Sequence, residues 1–429
     1  MACSASVVVN KTNAGVEIHP LQDRVFHASF DFCGDSEFMG PSELGEPIKN
    51  FIAALQHSLR YCPLDGGTTL SGALVLPPEN ETSVEQTVFL FNLGDSSTSI
   101  YSPDKIEATA PHLPPLDRRY EPVDKKYMVF IQGGGGQKFK IPLGGCQWRI
   151  IKDFCYELSF EPQVSFETCR TILQQIQSDN PKCSIMFRTM TGLSMTRAVG
   201  DYVRHQAIVR EPDIGHYSVS TDGLIVAVTD GVSDMIPSAE LYKKLYVASP
   251  PEASEIAREA FKFWHEGHEG HEGYDESDDI GIVYVDLRAA RLEKALIMGV
   301  ADGHGPQGHF YAQLCASVFT RVFPVFLVAW VDGAETYSWG AIQAQLMADF
   351  SSNPEFLKCL FAVLNVFFLA LNQALSPDSS AAEPAVASEF LGPAGGGGVG
   401  VAGAGAAAIT PVLDALAAVQ GPAAGSPAP

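Results

Sequence analysis

Three short acidic turns are the residues of this chain best suited to metal chemistry. Asp302–Gly305 (Asp-Gly-His-Gly) ends one β-prone apolar run, and Asp230–Gly231, with Asp234 close behind, ends another. Asp278–Asp279 opens a third run of the same kind. A carboxylate beside an exposed backbone carbonyl offers the all-oxygen ligands that hard divalent cations prefer. The three turns together predict a carboxylate-lined metal centre.

The metal interpretation depends on the set of aspartates and not on any one of them. A single aspartate at a strand end commonly caps a turn without binding anything. Several carboxylates that converge on one site repel one another, so some would be protonated unless cations hold them. Convergence of the three turns is therefore the feature that the fold must supply.

Composition excludes some classes of function. The chain has 429 residues and is 46% hydrophobic, enough for one large domain with additional material or for two smaller ones. Its net charge of −22 argues against a nucleic-acid binder and against docking on an anionic membrane. Its 9 cysteines are scattered, without the CxxC spacing of a metal or redox site. We expect reduced, mostly buried cysteines in a cytoplasmic or nuclear protein.

Two apolar runs raise the question of a membrane. Val318–Val331 contains Arg321 and Pro324, and Phe356–Leu371 contains Lys358 and Asn365. Both are shorter than the roughly 20 uninterrupted apolar residues of a spanning helix. We interpret them as buried or partner-facing helices. No basic flank followed by a long apolar core marks a signal peptide at the N-terminus.

Apolar periodicity and turn residues predict a mixed α and β chain. A strand pair is expected within residues 16–40, and residues 101–160 look rich in loops. The remaining predictions are helices over 48–61, 166–179, 238–246 and 252–264, and strands over 66–76, 87–95, 216–229 and 280–286. Residues 291–375 are expected to hold one strand and two apolar helices.

Three unusual segments receive no functional role. The run Gly133–Gly136 lacks the Lys-Ser/Thr of a phosphate-binding loop and is interpreted as a flexible turn. The repeat His265–Gly273 (His-Glu-Gly three times) could chelate a transition metal, but its glycines favour an unstructured surface loop. From about Ser376 the chain is poor in large side chains, so residues 376–429 are predicted to form a disordered Ala/Gly/Pro-rich tail.

Six short motifs, in order along residues 16–287, resemble the metal-dependent serine/threonine protein phosphatases (the PPM family, type 2C). They match the family's Glu/Gln-Asp strand, its Ser-Gly-Thr-Thr-Ala, Asn-Val-Gly-Asp-Ser-Arg, Gly-Leu-Ala-Val-Ser-Arg-Ala-Leu-Gly-Asp and Ser-Asp-Gly-Leu-Trp-Asp segments, and its Asp-Asn/Asp-Ile-Thr strand. The matching residues are Gln22–Phe26, Gly67–Thr69, Asn92–Ser96, Gly192–Asp201, Thr229–Asp234 and Asp278–Ile280. Any one motif is weak, and the shared order carries the resemblance.

One motif of the family is displaced. The family places Asp-Gly-His-Gly between the first two of these motifs, whereas here it occurs downstream at Asp302–Gly305. Either residues 291–375 fold back to complete the domain formed by residues 1–290, or they are the truncated start of a second copy. We favour completion, because each fragment lacks a surface that the other supplies.

The resemblance implies an α+β fold, with a central β-sandwich of two mainly antiparallel sheets flanked by helices. It also implies two Mg²⁺ or Mn²⁺ ions, with a third in some members. Position by position, the first ion would be held by Asp302, the Gly303 carbonyl, Asp230 and Asp278. Asp302 would bridge to the second ion, helped through water by Gln22 and Asp23. Asp95 and Asp234 would hold the third.

The mechanism implied by the resemblance is in-line attack of a metal-activated water on phosphorus. His304 matches the residue proposed in the family as general acid. Two departures weaken this expectation. Many members carry an Arg just before the Glu/Gln-Asp pair, whereas here only Lys11 and Arg24 are near, a loss of roughly 1.5–3 kcal/mol in phosphate binding. In addition, Ser97 replaces the Arg that follows Gly-Asp-Ser.

Three functions follow from the resemblance. The first is a signalling hydrolase, a metal-dependent phosphatase acting on phosphoserine and phosphothreonine in proteins. The second is a catalytically weak or inactive pseudophosphatase that serves as a regulatory binding module. The third, less favoured, is a phosphatase tethered to a membrane through Phe356–Leu371.

Overall fold

The computed structural model describes residues 3–8, 22–32, 44–78, 83–103, 105–133, 146–152, 154–181, 183–203, 205, 207–267, 278–288 and 292–376. They lie in one unit, Met1–Ser379. Four of the sequence predictions fall wholly or mainly outside the described residues: most of the strand pair in 16–40, most of the Gly133–Gly136 turn, most of the His-Glu-Gly repeat, and the tail from residue 377.

The described strands and helices alternate irregularly along the chain. The strands are β1 (Cys3–Val8), β2 (Arg24–Phe30), β3 (Gly67–Thr68), β4 (Leu70–Val75), β5 (Glu85–Leu93), β6 (Ser97–Ser102), β7 (Lys105–Ala108), β8 (Lys126–Gly133), β9 (Cys146–Lys152), β10 (Cys155–Phe160), β11 (Cys183–Arg188), β12 (Val199–Gly200), β13 (Asp213–Ser220), β14 (Leu224–Val228), β15 (Ile280–Asp286), β16 (Ala295–Ala301) and β17 (Gly303–His304). The helices are α1 (Gly45–Leu59), α2 (Phe166–Asp179), α3 (Asp230–Ser233), α4 (Ser238–Leu245), α5 (Ala253–Glu266), α6 (Gly308–Arg321), α7 (Phe323–Val331), α8 (Gly340–Asp349) and α9 (Pro354–Leu375), with a 3₁₀ turn at Val123–Lys125.

Two antiparallel sheets form the centre of the molecule. One has the strand order β1-β15-β14-β6-β7 and the other β13-β5-β4-β16-β2. Their inner faces meet in a core to which Ile225 and Val283 contribute from the first sheet, and Leu90 and Met298 from the second. Alternating apolar residues let each sheet bury one face against the other. The predicted α+β class, a β-sandwich flanked by helices, is confirmed.

Strand β16 lies in the middle of the second sheet, between β2 and β4. Ile297, for example, is opposite Ala28 on one side and Leu74 on the other. All of its residues are buried. A strand that is buried on both faces and paired along both edges is a central part of the sheet. It does not belong to a separate unit. We therefore propose that residues 291–375 complete the domain of residues 1–290.

Helices cover the outer faces of both sheets. Below the first sheet lie α4 and α5, whose apolar residues share a core with Val226 and Ile282. Over the second sheet lie α1, α6, α7 and α9, packed around Phe51. The Phe51 ring contacts four other aromatic rings edge-on or tilted, those of Phe319, Phe323, Phe326 and Phe367. Such aromatic packing contributes beyond buried area alone.

The two apolar runs considered as membrane spans belong partly to this core. Val318–Val331 is divided between α6 and α7, which meet at a 42° bend. By length and composition, Phe356–Leu375 of α9 could cross a membrane, and α6 with α7 would qualify as a bent pair. The buried core helix of a soluble protein meets the same criteria. In α9, Leu360, Leu364 and Phe367 are fully buried.

The prediction that residues 101–160 are rich in loops is wrong. This region supplies β8, β9 and β10, which join β11 in a sheet of order β11-β8-β10-β9. Helix α2 packs on one face of this sheet, where Leu173 and Ile176 meet Tyr127 and Leu158. Polar and glycine residues between these strands obscured their alternating pattern.

Two smaller predictions are also wrong. The strand expected over 216–229 is two strands, β13 and β14, separated by a turn at Thr221–Gly223. Residues 291–375 hold α6, α7, α8 and α9 instead of two helices. In both cases the apolar pattern continues through a break that only backbone geometry reveals.

Candidate metal centre

The acidic turns converge at one edge of the sandwich. Asp302 connects β16 to β17, Asp230 begins α3 directly after β14, and Asp95 lies between β5 and β6. Each of the three offers one carboxylate oxygen, and these oxygens all lie within 4.8 Å of one another. The late Asp-Gly-His-Gly turn is thus beside residues from both sheets, because β16 runs between β2 and β4.

Backbone hydrogen bonds hold the displaced turn in place. The Thr69 amide donates to the Asp302 carbonyl at 2.8 Å, and the Asp302 amide donates to Thr69 Oγ1 at 3.3 Å. Gly303 is antiparallel to Thr68 in a small sheet of order β12-β3-β17. A Cβ at Gly303 would come within 2.5 Å of the Gly308 backbone, so this position requires glycine.

The N-terminal and C-terminal acidic residues meet beside Asp302. Asp23 is fully buried and hydrogen-bonded to the side chains of Asp302 and Thr229. The Gln22 amide donates to Asp279 Oδ2 at 2.7 Å, and the Asp279 amide donates to Asp278 Oδ1 at 2.9 Å. The predicted residues Asp23 and Asp278 are therefore near Asp302, while Asp279 anchors the backbone before Asp23.

Glycine also permits a close approach at the second turn. A Cβ at Gly231 would lie 2.0 Å from the Asp279 carbonyl oxygen. The Gly231 carbonyl accepts a hydrogen bond from the Trp264 indole at 2.8 Å. At the end of α3, the Asp234 amide donates to the Asp230 carbonyl at 2.9 Å. Asp234 is solvent-exposed and is the outermost of the predicted ligands.

Burial and mutual repulsion disfavour ionisation of this cluster. Burial first, and then neighbouring carboxylates, raise the pKa of Asp230 and of Asp302 well above the ordinary value of 3.8. The same causes raise the pKa of Asp23 to about 7, although hydrogen bonds to Asp302 and Thr229 oppose the shift. Desolvation also raises the pKa of Asp95.

The residues present fit a divalent cation. Asp95 Oδ1 and Asp230 Oδ1 are buried oxygens without a hydrogen-bond partner among the described residues. Buried polar atoms are almost always paired, and an unpaired carboxylate oxygen is costly. An all-oxygen set of carboxylates suits Mg²⁺, Mn²⁺ or Ca²⁺ better than soft metals.

His304 is placed at the rim of this cluster by an aspartate that the sequence analysis did not assign to the site. His304 Nε2 lies 2.6 Å from Asp201 Oδ2, and Asp201 is almost fully buried. Burial of the imidazole disfavours its charged form, but Asp201 outweighs this and raises the pKa of His304. Asp201 adopts φ of 57°, a left-handed conformation that is uncommon outside glycine. The Gly-Asp ending of the motif Gly192–Asp201 was the available signal.

Of the two cations considered for phosphate binding, Arg24 is the one that the structure describes. Arg24 is turned away, because its Nε donates to Gln313 Oε1 and its Nη1 to the Asp23 carbonyl, both at 2.7 Å. Lys11 lies outside the described residues.

The Ser194 hydroxyl donates a hydrogen bond to Asp95 Oδ2 at 3.2 Å. This hydrogen bond orients the carboxylate of Asp95, the proposed ligand that follows β5.

Metal addition should stabilise the protein more at pH 7.5 than at pH 5. Without metal, the raised pKa of the buried Asp23 keeps a proton on the folded state that the unfolded chain releases, so stability falls as pH rises from about 4 to about 7. A bound cation relieves this penalty, which is about 1.4 kcal/mol per pKa unit. Thermal unfolding with and without Mn²⁺ at the two pH values measures the difference. An equal or smaller shift at pH 7.5 would contradict the charge state argued above.

No protein-family model matches the chain. A curated rice protein, "Probable protein phosphatase 2C 48" from Oryza sativa subsp. japonica, is 34% identical over 74 residues. The match covers 17% of this chain and 20% of that protein, so it spans about a fifth of the relative's length.

Two solved structures illustrate the structural matches. The structure of a C. elegans sex determining protein covers 67% of this chain, and 65% of that protein, at 15% identity and a TM-score of 0.37. The catalytic domain of the serine/threonine protein phosphatase PstP, in complex with two manganese ions, covers 71% of this chain, and 100% of that domain, at 13% identity and a TM-score of 0.28.

Asp95 and Asp230 come from two of the six motifs and Asp302 from the displaced Asp-Gly-His-Gly turn, and the fold brings the three together. This chain is similar to the metal-dependent serine/threonine protein phosphatases, the PPM family of type 2C, as its sequence motifs predicted.

Proposed function

We propose that the chain is a metal-dependent phosphatase that hydrolyses phosphoserine and phosphothreonine in proteins. The observation that carries the proposal is the cluster of Asp95, Asp230 and Asp302, whose carboxylate oxygens lie within 4.8 Å of one another. Clustered carboxylates without a neutralising cation would be unfavourable. The similarity to type 2C phosphatases supports phosphoester hydrolysis over other metal chemistry.

The ligand assignments are part of this proposal. Asp302, the Gly303 carbonyl, Asp230 and Asp278 would hold a first Mg²⁺ or Mn²⁺ ion, and Asp302 with Asp23 would contribute to a second. Asp95 and Asp234 would be available to a third. Bound divalent cations would activate water and offset charge on the phosphoryl oxygens.

The remaining chemistry belongs to His304 and Asp201. The serine or threonine leaving group is a poor one and needs a proton as its bond to phosphorus breaks. His304 Nδ1 is the candidate donor, because Nε2 is held by Asp201 Oδ2, a contact that fixes the ring and favours the protonated form. His304 Nδ1 is buried without a hydrogen-bond partner among the described residues. Asp201 acts through His304 and is a positioning residue.

Replacing Asp201 with asparagine (Asp201→Asn) should slow hydrolysis of a phosphothreonine peptide by about tenfold or more, because general acid catalysis typically contributes a factor of roughly 10²–10⁴. Hydrolysis of p-nitrophenyl phosphate should change far less, since its leaving group needs no proton. The ratio of the two kcat values distinguishes a proton-transfer defect from misfolding. Equal loss on both substrates would argue against this role for Asp201.

The experiment for the proposed function is manganese-stimulated release of phosphate from a phosphothreonine peptide by the full chain. We expect turnover that requires Mn²⁺ or Mg²⁺ and stops on chelation. A chain that unfolds cooperatively and binds Mn²⁺ but shows no turnover would instead support a pseudophosphatase. The orientation of Arg24 away from the centre is the observation that favours this second candidate.

Partners and location remain proposals of the same kind. We propose phosphoproteins as partners, no nucleic acid, no membrane anchoring, and a cytoplasmic or nuclear location. The cysteines among the described residues are free thiols. Fractionation of cells that express the tagged chain would test the location.

A further inference from the structure

The sheet of β8 to β11 has one covered face and one open face. Residues such as Tyr127 and Leu158 point towards α2, so their neighbours along each strand point to the opposite side, called the outer face below. Arg188 is opposite Met128, and Met186 is opposite Phe130, in the register of β11 with β8. The outer face includes Lys126, Met128, Phe130, Arg149, Glu157, Met186 and Arg188.

The apolar residues of the outer face are not part of the described cores. Met128, Phe130 and Met186 are absent from each of the described core clusters. Met186 is 39% exposed. Met128 and Phe130 are half-buried. Partly exposed apolar residues that share one face with cations fit a surface that binds a partner.

Arg188 differs from the other cations of this face. Lys126 and Arg149 both pair with Glu157, at 3.6 and 2.5 Å. No carboxylate among the described residues pairs with Arg188, and its buried Nε has no hydrogen-bond acceptor there. Its guanidinium lies 5.1 Å from the centre of the Phe130 ring, and its Nη1 donates to the Gly192 carbonyl at 3.3 Å. These contacts hold the guanidinium in place, and its Nε–H is free to donate a hydrogen bond to a ligand.

The position of Arg188 connects the outer face to the metal centre. Its partner Gly192 precedes Ser194 by two residues, and the Ser194 hydroxyl donates to Asp95. Chain geometry therefore keeps the guanidinium within about 15 Å of the Asp95 carboxylate. An extended peptide rises by about 3.3 Å per residue, so this distance corresponds to about four residues.

We infer that Arg188 binds an acidic side chain of the protein substrate, within about four residues of the phosphorylated one, while the apolar part of the outer face packs against neighbouring residues. The inference rests on the proposed function. A planar guanidinium presents a fork of donors that matches a carboxylate. The chain carries a net charge of −22. Arg188, which has no carboxylate partner among the described residues, is therefore a cation on an acidic protein and would attract an acidic segment of the substrate.

The test compares two phosphothreonine peptides, one with glutamates within four positions of the phosphothreonine and one with glutamines there. We expect the wild-type chain to favour the acidic peptide by about tenfold in kcat/KM. Arg188→Ala should bring that ratio close to one, and Arg188→Lys should leave an intermediate ratio. Arg258→Ala is the matched control, because Arg258 is an exposed arginine on α5, which packs on the other sheet. It should retain the full preference.

A second measurement is independent of turnover. Binding of the unphosphorylated glutamate peptide, followed by fluorescence anisotropy, should weaken at least fivefold in Arg188→Ala and not in Arg258→Ala. Equal ratios and equal binding in the two variants would overturn the inference even if the chain is an active phosphatase. Absence of turnover on both peptides would remove the proposed function, and the binding result would still decide whether Arg188 recognises an acidic segment.

Discussion

Replacing Asp302 with asparagine (Asp302→Asn) should reduce metal-dependent hydrolysis of a phosphothreonine peptide by about a thousandfold or more. Asp302 is the carboxylate shared by the proposed ions, and its loss removes several kcal/mol of transition-state stabilisation. The same change removes one of several buried, mutually repelling carboxylates, so the metal-free protein should be no less stable at pH 7.5. The measurements are initial rates with saturating Mn²⁺ and thermal unfolding without it.

The control for this prediction is Asp222→Asn, at an exposed aspartate in the turn between β13 and β14. That variant should retain wild-type activity and its response to Mn²⁺. An Asp302→Asn protein that keeps more than about a tenth of wild-type activity would contradict the assignment of Asp302. A protein that simply unfolds would also differ from the expectation, because the metal-free variant should remain folded.

Ending the chain after Arg288 should abolish cooperative folding. This truncation removes β16 from between β2 and β4, together with α6, α7, α8 and α9. Leu296, Ile297, Met298 and Val300 are fully buried, and each contributes about 1.5–3 kcal/mol by burial. Their sum is comparable to the whole stability of a typical domain, about 5–15 kcal/mol. Circular dichroism during urea unfolding measures the loss.

Truncation after Ser379, where the compact unit ends, is the matched control and should unfold like the full chain. A purified 289–379 fragment added to the 1–288 fragment should restore part of the cooperative transition. A 1–288 fragment that unfolds cooperatively by itself would contradict the proposal that residues 291–375 complete the domain. Residues 291–375 would then be an independent unit beside it.

The sequence predicted the acidic residues of the site better than their surroundings. Aspartates at the ends of apolar runs are visible in the sequence. The local pattern of apolar residues is enough to place each of them at the end of a strand. The position of Asp302 beside Asp230 depends on β16 pairing with β2, more than 260 residues away along the chain. No local pattern specifies such a pairing, because register is set by the whole buried face.

Two features of the site were not accessible from residue patterns. Asp201 was read only as the end of a motif, since its contact with His304 joins residues 103 positions apart. Strands β8, β9 and β10 lie in a region that was expected to be rich in loops, because polar and glycine residues separate them. Both depend on tertiary contacts and not on local propensity.

The most direct test of the metal centre is the anomalous diffraction of crystals of the full chain grown with Mn²⁺. The assignments above predict at least two anomalous peaks at the manganese edge, one bound by both Asp230 and Asp302 and a second also bound by Asp302. Strong manganese peaks elsewhere, with no peak at these carboxylates, would contradict the assignment of this cluster as a catalytic metal centre.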